Sequence, residues 1–292
     1  MRLKFQVIQN ALRKGLNQVS LNKTWEAIHH EMEIGEIRGR MLIFQSGDIE
    51  LLRQLMHKET GHDPVHESLH GSRIKMAQKA ANEKLSSQSV FGNLLQVARL
   101  NGASIPIAGS TCAALTPPGT LLSVRENYLL LDDIPNVILT ENGSAAVYWD
   151  CYRYPREVGD ALIIYRGHGQ DSSVVRNLIQ NRPKTTRLYG FFDLDPAGIT
   201  MALQYKVDAL VIPAQLEDQW HQANSWLQEV NQSKVHAQQY DELRGLERYF
   251  QEHPGISSGR LGEVFDFVKC HQIAIMQEHM TRDECELVAL NI

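Results

Sequence analysis

The chain has 292 residues, 43% of them apolar and 22% charged, with a formal net charge of −5. That composition is too apolar for a disordered chain and too poor in glycine and proline for a fibrous one, and the length suits two compact units. No run approaches the roughly 20 apolar residues of a spanning helix, residues 1–14 lack the apolar segment of a signal peptide, and the four cysteines lie far apart without a CxxC pair. These features predict a cytoplasmic protein with no membrane association, and exclude a zinc knuckle or disulfide scaffold.

Charge is uneven. Residues 1–110 hold 14 basic and 10 acidic residues, a balance of +4, and the remainder holds 15 and 24, a balance of −9. Either this is ordinary surface scatter, or the front half meets phosphates while the back half meets cations.

Phe5, Ile8, Leu12 and Leu16 fall at helical spacing and predict a first helix ending near Gly15. Thr24 is a candidate cap for a second, with Trp25, Ile28 and Met32 buried and Gly35 as its stop. Residues 41–44 read as a short strand. Ser46-Gly47-Asp48 turns into a third helix with Ile49, Leu52 and Met56 on one face. This order suits a small winged-helix-like α+β unit, and other small α+β units as well. Residues 72–100 read as one or two helices carrying Arg73, Lys75, Lys79 and Lys84, which form either a solvated face or a phosphate-contacting one. Residues 101–120, rich in Gly, Ala, Ser, Thr and Pro, read as a loop and a domain boundary. The predicted organisation is a front domain over 1–110, a linker over 111–134, an α/β domain over 135–213 and a helical extension over 214–292.

Within the α/β domain three apolar runs end in polar clusters. Residues 135–140 lead to Glu141-Asn142-Gly143, and a helix is predicted over 144–153. Residues 161–165 lead to Arg166-Gly167-His168-Gly169, with Ser172 and Ser173 as candidate caps of the next helix. Residues 187–192 lead to Asp193-Leu194-Asp195-Pro196-Ala197-Gly198, then a helix, then a fourth run over 209–213. Strands alternating with helices predict a parallel sheet covered on both faces with right-handed crossovers.

Ligands of open parallel sheets gather at the carboxyl ends of the strands. If these runs are adjacent strands, Glu141, Asp193 and Asp195 meet at one edge. Ionised carboxylates so placed raise one another's pKa, and a divalent cation removes the penalty. Oxygen donors of this kind suit Mg2+ or Mn2+. A bare DxD alternates along an extended strand, but Pro196 and Gly198 supply a turn that can bring both aspartates to one ion.

Leu139-Thr140-Glu141-Asn142 together with residues 189–199 (YGFFDLDPAGI) resembles the Toprim domain of topoisomerases, DnaG-type primases and several nucleases. The DLDPAGI form with its TEN glutamate is most similar to the branch holding the A subunit of type IIB topoisomerases and the nuclease subunit of the Wadjet anti-plasmid system. The likeness covers residues 135–213. A weaker one places Ile275-Met276-Gln277-Glu278 beside a C-terminal element of Wadjet-type subunits, and puts residues 1–110 where that branch carries a winged-helix DNA-binding domain.

The resemblance implies a metal-dependent DNA endonuclease in which Asp193 and Asp195 hold Mg2+ or Mn2+ and Glu141 shares the metal or acts as general base. Glu278 either completes a second metal site or is a helix-surface residue. His168 contacts phosphate, relays a proton or makes a structural hydrogen bond, and Arg166 contacts phosphate or sits in an ion pair. Implied partners are double-stranded plasmid DNA, SMC-like motor subunits and a second copy of the chain. Topoisomerases of the branch use a tyrosine on the winged-helix domain, and no tyrosine precedes Tyr128 here. Metal-activated water is therefore the expected nucleophile, against a transesterase using Tyr128 or a partner's tyrosine, or a non-catalytic module that binds DNA or a partner. Trp220 and Trp226 are either a docking surface or core.

Overall fold

The computed structural model describes residues 2–60, 63–66, 94–167, 171–217 and 225–292. The chain divides into two units, Met1–Gly92 and Asn93–Ile292.

In the first unit, helix Arg2–Arg13, strand β1 (Gln18–Ser20), helix Lys23–Met32, strands β2 (Glu36–Arg38) and β3 (Met41–Ile43), and helix Ser46–Thr60 follow in order. The strands form an antiparallel sheet in the order β1-β3-β2. Apolar residues spaced three and four apart bring Phe5, Ile8, Trp25, Ile28, Leu52 and Met56 onto one core with Leu42 and Phe44. The second helix is capped by Asn22 and not by Thr24: the Asn22 carboxamide accepts from the amides of Thr24 and Trp25. β1 and β2 escape a periodicity reading because each spans three residues, and β2 is exposed throughout. The four basic residues Arg73, Lys75, Lys79 and Lys84 lie outside the described residues.

The second unit is a mixed α/β fold on a seven-stranded sheet. Its strands are β4 (Leu94–Arg99), β5 (Leu122–Arg125), β6 (Asn136–Thr140), β7 (Leu162–Tyr165), β8 (Arg187–Phe191), β9 (Ala209–Pro213) and β10 (Leu287–Asn291), in the order β10-β9-β8-β6-β7-β4-β5. The four middle strands, β9-β8-β6-β7, run parallel, and β10 and the β4–β5 pair flank them antiparallel. The parallel strands are buried almost from end to end, as expected where both faces are covered.

Three expectations about organisation differ from the structure. Residues 94–110 belong to the second unit, because β4 pairs with β7. The span 111–134 contains β5, which buries only Val124 along its length and so carries no strong apolar signal. The span 214–292 is helical from Ser225 to Cys270, but it ends in β10, which extends the sheet beyond β9. The helix expected over 144–153 is a short one, Gly143–Val147, and leaves helical geometry at Tyr148 before the turn Trp149–Cys151.

Helix Pro196–Tyr205 follows β8 and packs against helices Tyr240–Glu252 and Arg260–Cys270. Trp226 is half-buried and packs on this core, and Trp220 lies outside the described residues. Among the described residues no helix is long and apolar enough to cross a membrane.

Candidate functional site

Strand order decides where a ligand can sit. From β6 the chain steps to β7 on one side and then to β8 on the other. This reversal opens a crevice at the carboxyl ends of β6 and β8. The register aligns Thr140 with Tyr165 on one side and with Phe191 on the other. The residues that follow them, Glu141, Arg166 and the Phe192-Asp193 step, therefore emerge side by side.

The acids are held as follows. The Asp193 amide donates to Glu141 Oε2 at 3.4 Å, and Arg166 Nη2 lies 3.3 Å from Glu141 Oε1. Asp193 Oδ1 accepts from the Gln277 amide at 2.7 Å. Glu278 Oε1 accepts from Asn142 Nδ2 at 2.5 Å. Asp195 is 2% exposed and turned inward. Its Oδ1 caps helix Pro196–Tyr205 by accepting from the Gly198 amide at 2.7 Å, and its Oδ2 accepts from Gln239 Nε2 at 2.5 Å. So Glu141, Asp193, Glu278 and Arg166 meet at one edge. Asp195 stands two residues from Asp193, but both its oxygens serve the helix start. His168 lies outside the described residues.

The DLDPAG run has a local explanation. Asp195 is the cap, Pro196 occupies the first helical position where its fixed φ costs nothing, and Gly198 lets the Asp193 carbonyl close the turn. Both Asp195 oxygens are engaged by the cap, and its charge lies close enough to add to the burial that raises Asp193 and Glu141. Gln277, fully buried, was not singled out for a role by the sequence. Its Nε2 donates to Thr140 Oγ1 (3.0 Å) and the Phe191 carbonyl (2.9 Å), and its Oε1 accepts from the Asn142 amide (2.8 Å). One side chain from the C-terminal segment thus ties the ends of β6 and β8 together. The bridge between Leu194 and Ile275 brings that segment in. Nothing local in the sequence signals such a contact, because its partners lie more than 80 residues away in the chain. Gln239 is a second such residue, accepting from the Ala197 amide while donating to Asp195.

Burial pushes the Asp193 carboxyl up to about 7, opposed by the Gln277 amide and reinforced by the charges of Glu141, Asp195 and Glu278. Burial also raises Glu141, which Arg166 partly offsets, and raises Asp195 against the bonds from Gly198, Gln239 and Ala197. Tyr152 is raised first by burial and then by Glu278, so its hydroxyl stays protonated. His236, 6% exposed and with no partner for Nε2 among the described residues, is lowered by burial although Asp195 favours its charged form.

These raised carboxyls set a pH dependence. A folded-state pKa above the unfolded value gives stability that is complete below the unfolded pKa, near 4, and is lost as pH rises through about 7. In chelator, Asp193→Asn is expected to stabilise the protein at pH 8 by on the order of 1–3 kcal/mol more than at pH 5, where the loss has only begun. Urea unfolding of both proteins at the two pH values checks this. An equal difference at both would contradict it.

Among the described residues no three His, Cys, Asp or Glu side chains are grouped to hold a metal ion. The donor set nevertheless fits Mg2+ or Mn2+, which bind through one or two carboxylates plus water and substrate phosphate. Glu141 and Asp193 supply those two, with Glu278 at the rim, and a dication would offset the burial and the neighbouring charges that raise Asp193.

Fold and edge together define a mixed α/β domain with an acid-lined crevice at a strand-order reversal. Residues 92–289 match the model of a family described as a domain of unknown function (DUF7281), and the chain belongs to that family. The match begins where the second unit begins. No curated protein matches the chain.

Proposed function

We propose that the chain is a Toprim-type, divalent-metal-dependent DNA endonuclease, acting as the nuclease subunit of an SMC-like anti-plasmid defence complex in the cytoplasm. The observation that carries the reading is the convergence of Glu141 and Asp193 from β6 and β8 on one crevice, within one hydrogen bond of each other.

Bound Mg2+ or Mn2+ would withdraw charge from a phosphodiester and make water a better nucleophile. Glu141 and Asp193 would hold it, with Glu278 beside them. Glu141 would share the metal or, where Asp193 holds it alone, accept a proton from the attacking water. Arg166, now paired with Glu141, would turn to the scissile phosphate when a metal takes over that carboxylate. Asp195, Gln239 and Gln277 position the acids without meeting substrate.

Hydrolysis is favoured over transesterification by Tyr152. Its hydroxyl feels Glu278 and Asp193, yet it is 8% exposed and burial raises its pKa, the reverse of what a nucleophile needs. In the first unit, the β2–β3 hairpin with exposed Arg38 and Arg40 supports a winged-helix role in DNA binding. A homodimer would place two such sites to cut both strands.

Purified protein is expected to nick or linearise supercoiled plasmid in Mg2+ or Mn2+ and to stop on addition of EDTA. Cleavage that survives EDTA would overturn the metal requirement, and no cleavage in either metal, with or without an SMC-like motor complex, would overturn the nuclease reading in favour of a non-catalytic module.

A further inference from the structure

Arg166 is held firmly by its backbone and loosely by its side chain. Its amide donates to the Thr140 carbonyl at 3.0 Å and extends the β6–β7 ladder by one residue. The side chain is half-buried, and its Nε is sealed from solvent with no partner among the described residues. Its contact within the described residues is Nη2 to Glu141 Oε1 at 3.3 Å, longer than the roughly 2.8 Å of a good charged hydrogen bond. Arg99, at the other end of β7, shows a structural arginine by contrast. Its Nε donates to the Asp160 carbonyl at 2.9 Å, its Nη1 to the Ser104 carbonyl at 2.6 Å and its Nη2 to the Asp160 carboxylate at 2.7 Å. A guanidinium that leaves a buried donor unmet is costly as scaffold, and its open fork matches the oxygens of an anion.

An anion does not enter first. Glu141, Asp193, Asp195 and Glu278 feel one another's charge at this edge, and Arg166 is already paired with Glu141, so a phosphate approaching the bare crevice is repelled. With a dication on Glu141 the signs reverse. Glu141 then has no surplus charge for Arg166, the guanidinium is repelled by the ion, and a phosphate between them meets two positive groups. The exchange asks only for rotation of side chains. The Glu141 amide stays on the Phe191 carbonyl at 3.2 Å, and the Arg166 amide stays on Thr140.

We propose that Glu141 is a shared counter-charge, paired with Arg166 in the metal-free protein and with the cation in the loaded one, so that cation and phosphodiester bind cooperatively through the release of Arg166. This rests on the reading of Glu141 as a metal ligand and adds to it how loading of the site is regulated. Linkage makes the coupling mutual: a phosphodiester in the crevice raises the affinity for the cation by the same factor as the cation raises the affinity for the phosphodiester. Without nucleic acid the site holds its cation loosely because Arg166 competes for Glu141, and it loads fully where a strand lies across it.

The test is 15N NMR of the arginine Nε–H signals of the full chain, with Mg2+ and dimethyl phosphate as probes and the Arg166 signal assigned by its loss in Arg166→Gln. Mg2+ is expected to shift the Arg166 signal, and dimethyl phosphate to shift it further with Mg2+ but not in EDTA. In Glu141→Gln the signal is expected to start at its released position and to ignore Mg2+. By calorimetry, dimethyl phosphate is expected to raise the Mg2+ affinity of the wild type about fivefold or more, a gain largely lost in Arg166→Gln. An Arg166 signal that stays in place while Mg2+ binds, or an equal gain in folded Arg166→Gln, overturns the exchange and leaves the metal site standing; if that variant misfolds, the wild-type signal decides. No Mg2+ binding to the wild type overturns both. Plasmid cleavage is measured in parallel, and coupling without cleavage would remove the hydrolytic reading while the exchange stands.

Discussion

Glu141→Gln and Asp193→Asn are each expected to lower plasmid cleavage by roughly 10²–10³-fold or more, with folding intact. Both replacements keep size and hydrogen-bonding shape. The carboxamide oxygen introduced at position 193 still accepts from the Gln277 amide, and the one introduced at position 141 still accepts from the Asp193 amide. What they remove is charge at the crevice between β6 and β8. If the two acids share one cation, either loss is nearly complete by itself, and the double variant is little worse than each single one. Glu278→Gln is expected to cost less, since Glu278 is exposed and its fixed contact is to Asn142. Metal-dependent cleavage by either of the first two variants at the wild-type rate would reject the assignment of Glu141 and Asp193.

Gly198→Ala is expected to destabilise the second unit by about 3 kcal/mol or more and to abolish activity with it. A Cβ built at this position lies 1.9 Å from the Asp193 carbonyl oxygen, 3.0 Å from its carbon and 3.4 Å from Phe192 Cβ. Two of the three are backbone atoms, so no side-chain rotation relieves the contact. The turn must open, which moves Asp193 and breaks the Asp195 cap on helix Pro196–Tyr205. Gly143→Ala is the control at the same sheet edge. Its Cβ meets only the Tyr165 ring, at 3.7 Å, an ordinary contact. Urea unfolding of the two variants measures the contrast, and equal stability would contradict the reading of the turn.

The buried parallel strands were legible in the sequence because each is a short apolar run followed by polar residues, and β6 to β9 fall where those runs do. The placement of Glu141, Arg166 and Asp193 at one edge followed from that pattern and the rule for parallel sheets. The antiparallel flanks were not legible. β5 buries one residue of four, and β10 is recruited by pairing with β9 across the whole helical stretch that separates them in the chain. In the sequence DxD reads as a ligand pair or as a solvated turn; that Asp195 also caps helix Pro196–Tyr205 shows only in its bonds to Gly198 and Gln239. Gln277 and Gln239 act through long-range contacts to backbone groups. A glutamine in a polar stretch carries no mark of such a duty until the chain has folded.

The central claim is that Glu141 and Asp193 jointly bind a divalent cation, and calorimetric titration with Mn2+ tests it most directly. At pH 7 the wild type is expected to bind Mn2+ and to release protons as it does so, seen as a heat that depends on the ionisation enthalpy of the buffer, because Asp193 is then only partly ionised. Glu141→Gln and Asp193→Asn are expected to lose this binding. Unaltered Mn2+ affinity in both variants, or no binding to the wild type, would contradict the account.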